Sequence, residues 1–138
     1  MEEEFVNIIC EDFKKKGFLT LKHVRIPPRE IDIIAFEPTT LVTISIEVKL
    51  RDWKKVVSQS IINEKYSHFN YIAVPSNISE KIPESLIKNA GLGMIIWNQI
   101  GNSTDLQVKH QPKKSRRINR VFKRRIYKLF HNEFTFAI

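Results

Sequence analysis

Residues 31–36 (Ile-Asp-Ile-Ile-Ala-Phe) and 44–50 (Ile-Ser-Ile-Glu-Val-Lys-Leu) are built almost wholly from branched and aromatic apolar residues, the composition of strands buried in a sheet. Asp32 interrupts the first run, and Glu47 and Lys49 interrupt the second. Burying one unpaired charge is costly, and burying three in neighbouring strands requires a compensating role. Strand side chains alternate between faces, so Glu47 and Lys49 leave their strand on one side while Ile46 and Val48 leave on the other. If the two strands pair through the turn at Pro38-Thr39-Thr40, Asp32 comes beside Glu47. With that pairing, two carboxylates and one ammonium converge at one spot on the sheet.

The flanking periodicities fill in the architecture. Phe5, Val6, Ile9 and Phe13 recur at helical spacing over residues 2–16, with Gly17 as a stop, and residues 19–26 form a strand closed by Pro27-Pro28. Residues 31–36 and 41–50 complete an antiparallel meander. Asp52 is a good N-cap for a second helix running to about Phe69. A short buried strand over 71–74, a third helix from Pro83 to about Gly91 and a strand over 93–97 follow. The order α-β-β-β-α-β-α-β predicts an α/β fold: a mixed sheet with helices on both faces. Gly101-Asn102-Ser103 is a turn, and the predicted domain spans residues 1–105, with residues 106–138 as a basic helical extension.

Charge divides the chain at the same place. Residues 1–105 hold 13 Lys or Arg against 14 Asp or Glu, whereas residues 106–138 hold 10 against 1. On a helical wheel over 115–130, Ile118, Val121, Phe122, Ile126, Leu129 and Phe130 share one side. Arg116, Arg117, Arg120, Lys123, Arg124 and Lys128 share the other, and only Arg125 is out of place. A polyanion is the expected partner of such a segment, nucleic acid first and an anionic membrane surface second. The single cysteine, Cys10, excludes an intramolecular disulfide and reads as a buried helix residue. The acidic start and the lack of a long apolar run predict a cytoplasmic protein without a membrane span.

Paired carboxylates at a sheet edge can hold a hard cation such as Mg²⁺, which prefers oxygen ligands and keeps waters for substrate phosphate. A lysine beside it can position a water and offset charge on the phosphate. Isolated Glu-x-Lys pairs on strands are mostly surface ion pairs; the apolar setting of this one is what separates it from them. Lys55, Gln59 and Tyr66 lie at i, i+4 and i+11, a face that either looks across the site or is simply a polar helix face in water. The four histidines are scattered, Gly91-Leu92-Gly93 is a helix stop, and no serine or cysteine has the setting of an activated nucleophile.

The trio Asp32 and Glu47-Val48-Lys49, in this element order over roughly residues 1–98, resembles the PD-(D/E)XK nuclease superfamily, the restriction-endonuclease-like fold that includes Holliday-junction resolvases and Mrr-like enzymes. The resemblance implies a metal-dependent nuclease hydrolysing phosphodiester bonds, with DNA the favoured substrate and Mg²⁺ or Mn²⁺ held by Asp32 and Glu47. By the same resemblance Lys49 is the catalytic lysine, Gln59 the glutamine of the following helix, and Glu4 the first-helix glutamate, ahead of Glu3 and Glu11. Ile31 stands where the family's proline precedes the acid. Lys55, Arg116, Arg117, Arg120, Lys123, Arg124 and Lys128 are the expected phosphate contacts. Two alternatives remain: a non-catalytic nucleic-acid-binding protein on the same fold, or a junction resolvase acting as a homodimer.

Overall fold

In the structure, a computed structural model that describes residues 1–134, six strands form one sheet in the order β1-β2-β3-β4-β5-β6, so every strand pairs with its neighbour in the chain. Helix α1 (Glu2–Lys15) leads into β1 (Leu19–Ile26), β2 (Arg29–Glu37) and β3 (Val42–Val48), an antiparallel meander. Helix α2 (Trp53–Ile62) and a 3-10 turn (Asn63–Lys65) carry the chain over to β4 (Phe69–Pro75), which runs parallel to β3. Two short helices, α3 (Ser76–Ser79) and α4 (Glu84–Ala90), precede the parallel strand β5 (Gly93–Ile100). Strand β6 (Ser103–His110) returns antiparallel to β5, and α5 (Arg120–Phe134) closes the described chain.

The central strands are apolar on both faces because both faces are covered. On one side α1 sets Phe5, Val6, Ile9 and Phe13 against Ile33, Ile44, Ile46 and Trp97. Phe5 stacks on Trp97 with ring centroids 4.2 Å apart. On the other side α2 and α4 cover Ile72, Val74, Met94 and Ile96, while α5 packs Ile126 and Phe130 over Ile34 and Phe36. Cys10 is a buried, free thiol of α1.

Several boundaries differ from the sequence-based expectation, each for a local reason. The second helix ends at Ile62, because Asn63 turns inward as a fully buried polar residue and the backbone tightens into the 3-10 turn. Tyr66 consequently leaves the Lys55–Gln59 face; it is buried and stacked on Phe122 at 4.5 Å. Residues 103–110, whose alternation is weak because most of them are exposed, form β6, so the boundary expected at residue 105 falls inside a strand. Helix α5 starts at Arg120, where the Asn119 side chain accepts hydrogen bonds from the Val121 and Phe122 N–H groups. Arg116 and Arg117 therefore precede the helix. Its apolar stripe is also narrower than the wheel implied: Val121 and Leu129 are 61% and 36% exposed, whereas Tyr127 turns inward and its hydroxyl donates to the Leu41 carbonyl.

Phe130 is fully buried and stacks on Phe36 at 5.0 Å. Phe130→Ala should cost about 3–5 kcal/mol in a urea unfolding experiment, and Leu129→Ala less than about 1 kcal/mol. Equal, small losses at both positions would show that α5 does not dock in solution.

Candidate functional site

The β2–β3 ladder sets Ile33 opposite Ile46, so Asp32 and Glu47 occupy the next pair where the meander opens. The backbone ties the two together reciprocally. The Asp32 N–H donates to Glu47 Oε1 at 3.3 Å, and the Val48 N–H donates to Asp32 Oδ2 at 2.8 Å. Glu47 is completely buried and Asp32 half-buried.

Glu47 is met by polar groups from β2 and from the 3-10 turn. Asn63 Nδ2 donates to its Oε2 at 3.0 Å, and Arg29 Nη2 lies 3.4 Å from the same oxygen. The same Arg29 nitrogen donates to Asn63 Oδ1 at 2.8 Å and to the Gln59 carbonyl at 3.2 Å. These donors offset the charge incompletely. Burial and the facing Asp32 push the Glu47 carboxyl up to about 7, against the lowering effect of Asn63, the Asp32 N–H and Arg29. Burial also raises Asp32, with the Val48 N–H and then Lys49 pulling the other way.

Lys49 follows the last residue of β3. Its Nζ is 3.9 Å from a Glu2 carboxylate oxygen, and Glu2 in turn raises Asp32. The structure thus brings together Asp32, Glu47 and Lys49, with Glu2 at the start of α1. Glu4 is exposed, Glu3 pairs with His23 at 2.6 Å, and Glu11 pairs with Lys14 at 3.1 Å, so Glu2 is the first-helix glutamate nearest the trio's field. Gln59 reaches the site through its backbone carbonyl, while its side-chain Oε1 is buried without a hydrogen-bond partner. Lys55 lies exposed on α2.

Arg29 and Asn63 escaped the sequence reading. Arg29 carries no sequence signal of its own beyond standing three residues before Asp32. Asn63 was hidden inside an expected helix, although a lone amide there marks the point where the helix fails.

Asp32 and Glu47 together form a pair of oxygen donors. Such a set suits a hard cation that retains most of its waters, and the His and Cys donors of a closed zinc site are missing from it. Among the described residues no group of three or more His, Cys, Asp or Glu converges. Of the described residues, Asp32 and Glu47 are thus the anionic groups that meet here.

The raised Glu47 pKa makes stability depend on pH with a definite sign. A carboxyl held near 7 in the folded state and near 4.5 when unfolded contributes stability that is complete below about pH 4.5 and lost as pH rises through about 7. Without divalent cations, stability should fall between about pH 5 and 8 by at most about 3 kcal/mol, and Glu47→Gln should flatten this slope. Parallel pH profiles for the two proteins in urea melts would refute the assignment.

Comparison with known proteins finds relatives only by shape. A protein of unknown function from Silicibacter pomeroyi superposes with a TM-score of 0.62 at 12% identity, covering 92% of this chain and 87% of that one, and so shares the fold. A repair endonuclease from Pyrococcus abyssi is more distant, with a TM-score of 0.45, 19% identity, and coverage of 68% of this chain and 45% of that one. No family model and no curated protein matches the sequence.

Proposed function

We propose that this chain is a metal-dependent nuclease that hydrolyses phosphodiester bonds, with DNA as its substrate. The observation that carries the proposal is the Asp32–Glu47 pair, two carboxylates locked face to face by reciprocal backbone hydrogen bonds in a partly dehydrated setting. A fold gains nothing from that repulsion by itself. A bound cation turns the same repulsion into affinity.

Asp32 and Glu47 would hold Mg²⁺ or Mn²⁺, which when bound polarises the phosphate and lowers the pKa of an attacking water. The chain's own groups do the rest. Lys49 would orient the water and stabilise the extra negative charge on the phosphate, and Glu2, 3.9 Å from its Nζ, restrains it. Asn63 and Arg29 fix the Glu47 rotamer from behind. Gln59 accepts from Arg29 through its backbone carbonyl and so helps to hold the arginine that faces Glu47. Arg120, Arg124 and Lys128 are exposed along α5 and supply phosphate contacts, whereas Lys123 lies 5.7 Å from the Tyr127 ring and is half-buried.

Asp32→Ala, Glu47→Ala and Lys49→Ala should each lower Mg²⁺-dependent cleavage by about 10³-fold or more, and double variants should lose little beyond that, because the three act as one unit. Mg²⁺ should raise the melting temperature of the wild type and not of Asp32→Ala/Glu47→Ala. The assay uses linear, branched and single-stranded DNA, so that a preference for junctions is seen directly. Undiminished cleavage by folded Lys49→Ala, or cleavage in excess chelator, refutes the mechanism.

A further inference from the structure

Residues 111–119 join β6 to α5 without regular structure, yet they are strapped to the core by their backbone. The Lys113 N–H donates to the Gly91 carbonyl at 3.0 Å, the Ser115 N–H to His68 at 2.7 Å, and the Asn119 N–H to Lys65 at 2.8 Å. Ser115 Oγ donates to the Glu64 carbonyl at 2.6 Å. Gly93 makes the close approach possible, since a Cβ there would lie 2.9 Å from Pro112 and 2.6 Å from Tyr71. Pro112, Ser115 and Ile118, three residues apart, turn inward, and Lys113, Lys114, Arg116 and Arg117 are left exposed between them.

Those four cations line one cleft of about 770 Å³, closed on its other side by the 3-10 turn and the end of α4. Glu64 is the carboxylate among the lining residues, 3.9 Å from Arg117 and unable to neutralise four positive groups. Lys114 also acts on His68, whose imidazole is held below its ordinary pKa first by burial and then by Lys123 and Lys114. A segment pinned in this way has little backbone entropy left to lose when its side chains meet phosphates. The cleft is also joined to the carboxylate pair. Asn63 binds Glu47, while the carbonyls of the next two residues, Glu64 and Lys65, hold the strap.

We propose that this cleft is a second phosphate-binding subsite, holding the nucleic-acid backbone away from the scissile bond. It deepens, and rests on, the nuclease reading of Asp32 and Glu47. Membrane headgroups are the competing polyanion.

The test is fluorescence anisotropy of a labelled short DNA duplex in chelator across a salt series, on full-length protein. Lys113→Gln/Lys114→Gln/Arg116→Gln/Arg117→Gln should bind at least about tenfold more weakly, with the slope of log affinity against log salt reduced by roughly 2 to 3.5. Lys113→Gln/Lys114→Gln, which leaves the Arg117–Glu64 pair intact, should lose about half as much and guards against misfolding of the fourfold variant. Lys15→Gln/Lys81→Gln/Lys109→Gln, three exposed cations outside both the strap and α5, controls for net charge. A smaller loss per charge in this control supports the subsite, and an equal loss overturns it. An unchanged slope in both strap variants overturns it too, as does an equal loss of binding to phosphatidylserine vesicles. Cleavage of the same duplex in Mg²⁺ is scored separately, so that a wild type that binds through the strap but never cuts sinks the nuclease reading alone.

Discussion

The antiparallel register between β2 and β3 is the constraint on which the rest of the site depends. Because Ile33 faces Ile46, Asp32 is brought to Glu47, and a slip of one residue would send every apolar side chain of the strand to the wrong face. The register is therefore held by the core itself: Ile33 and Ile46 pack under α1 while Ile34 lies under α5. The hydrophobic layers enforce an electrostatic contact that the carboxylates alone would not choose. This is how a structure of marginal stability keeps a repulsive pair in place.

What surrounds the pair shows how the cost is moderated without being removed. Arg29 and Asn63 share hydrogen bonds with each other and with Glu47, and the backbone N–H groups of Asp32 and Val48 take one oxygen of each acid. Full neutralisation would have called for a cation on each carboxylate. Instead one arginine serves Glu47, and Lys49 is shared between Asp32 and Glu2.

The parts legible in the sequence were those written as repeating pattern. The amphipathic first helix, the meander and the basic final helix announce themselves because many residues agree on one period, and Asp32, Glu47 and Lys49 stand out because they break it. The parts that were not legible depend on single residues answering to distant partners. Asn63 ends α2 because Glu47 and Arg29 await it, and Tyr66 leaves the helix face to meet Phe122. Glu2 was passed over because three consecutive glutamates carry no internal signal of which one will face Lys49. Strand β6 was missed because an edge strand exposed along most of its length need not alternate clearly.

The neighbour-to-neighbour strand order also dictates an order of construction. A chain emerging from the ribosome can pair β1, β2 and β3 as each appears, with no strand waiting for a later one to be inserted between its neighbours. Asp32 and Glu47 both belong to that meander, whereas Asn63, which covers Glu47, follows α2 in the chain, and the segment at 111–119 that grips the 3-10 turn comes later still. The chain therefore offers the carboxylate pair before it offers the groups that dehydrate it.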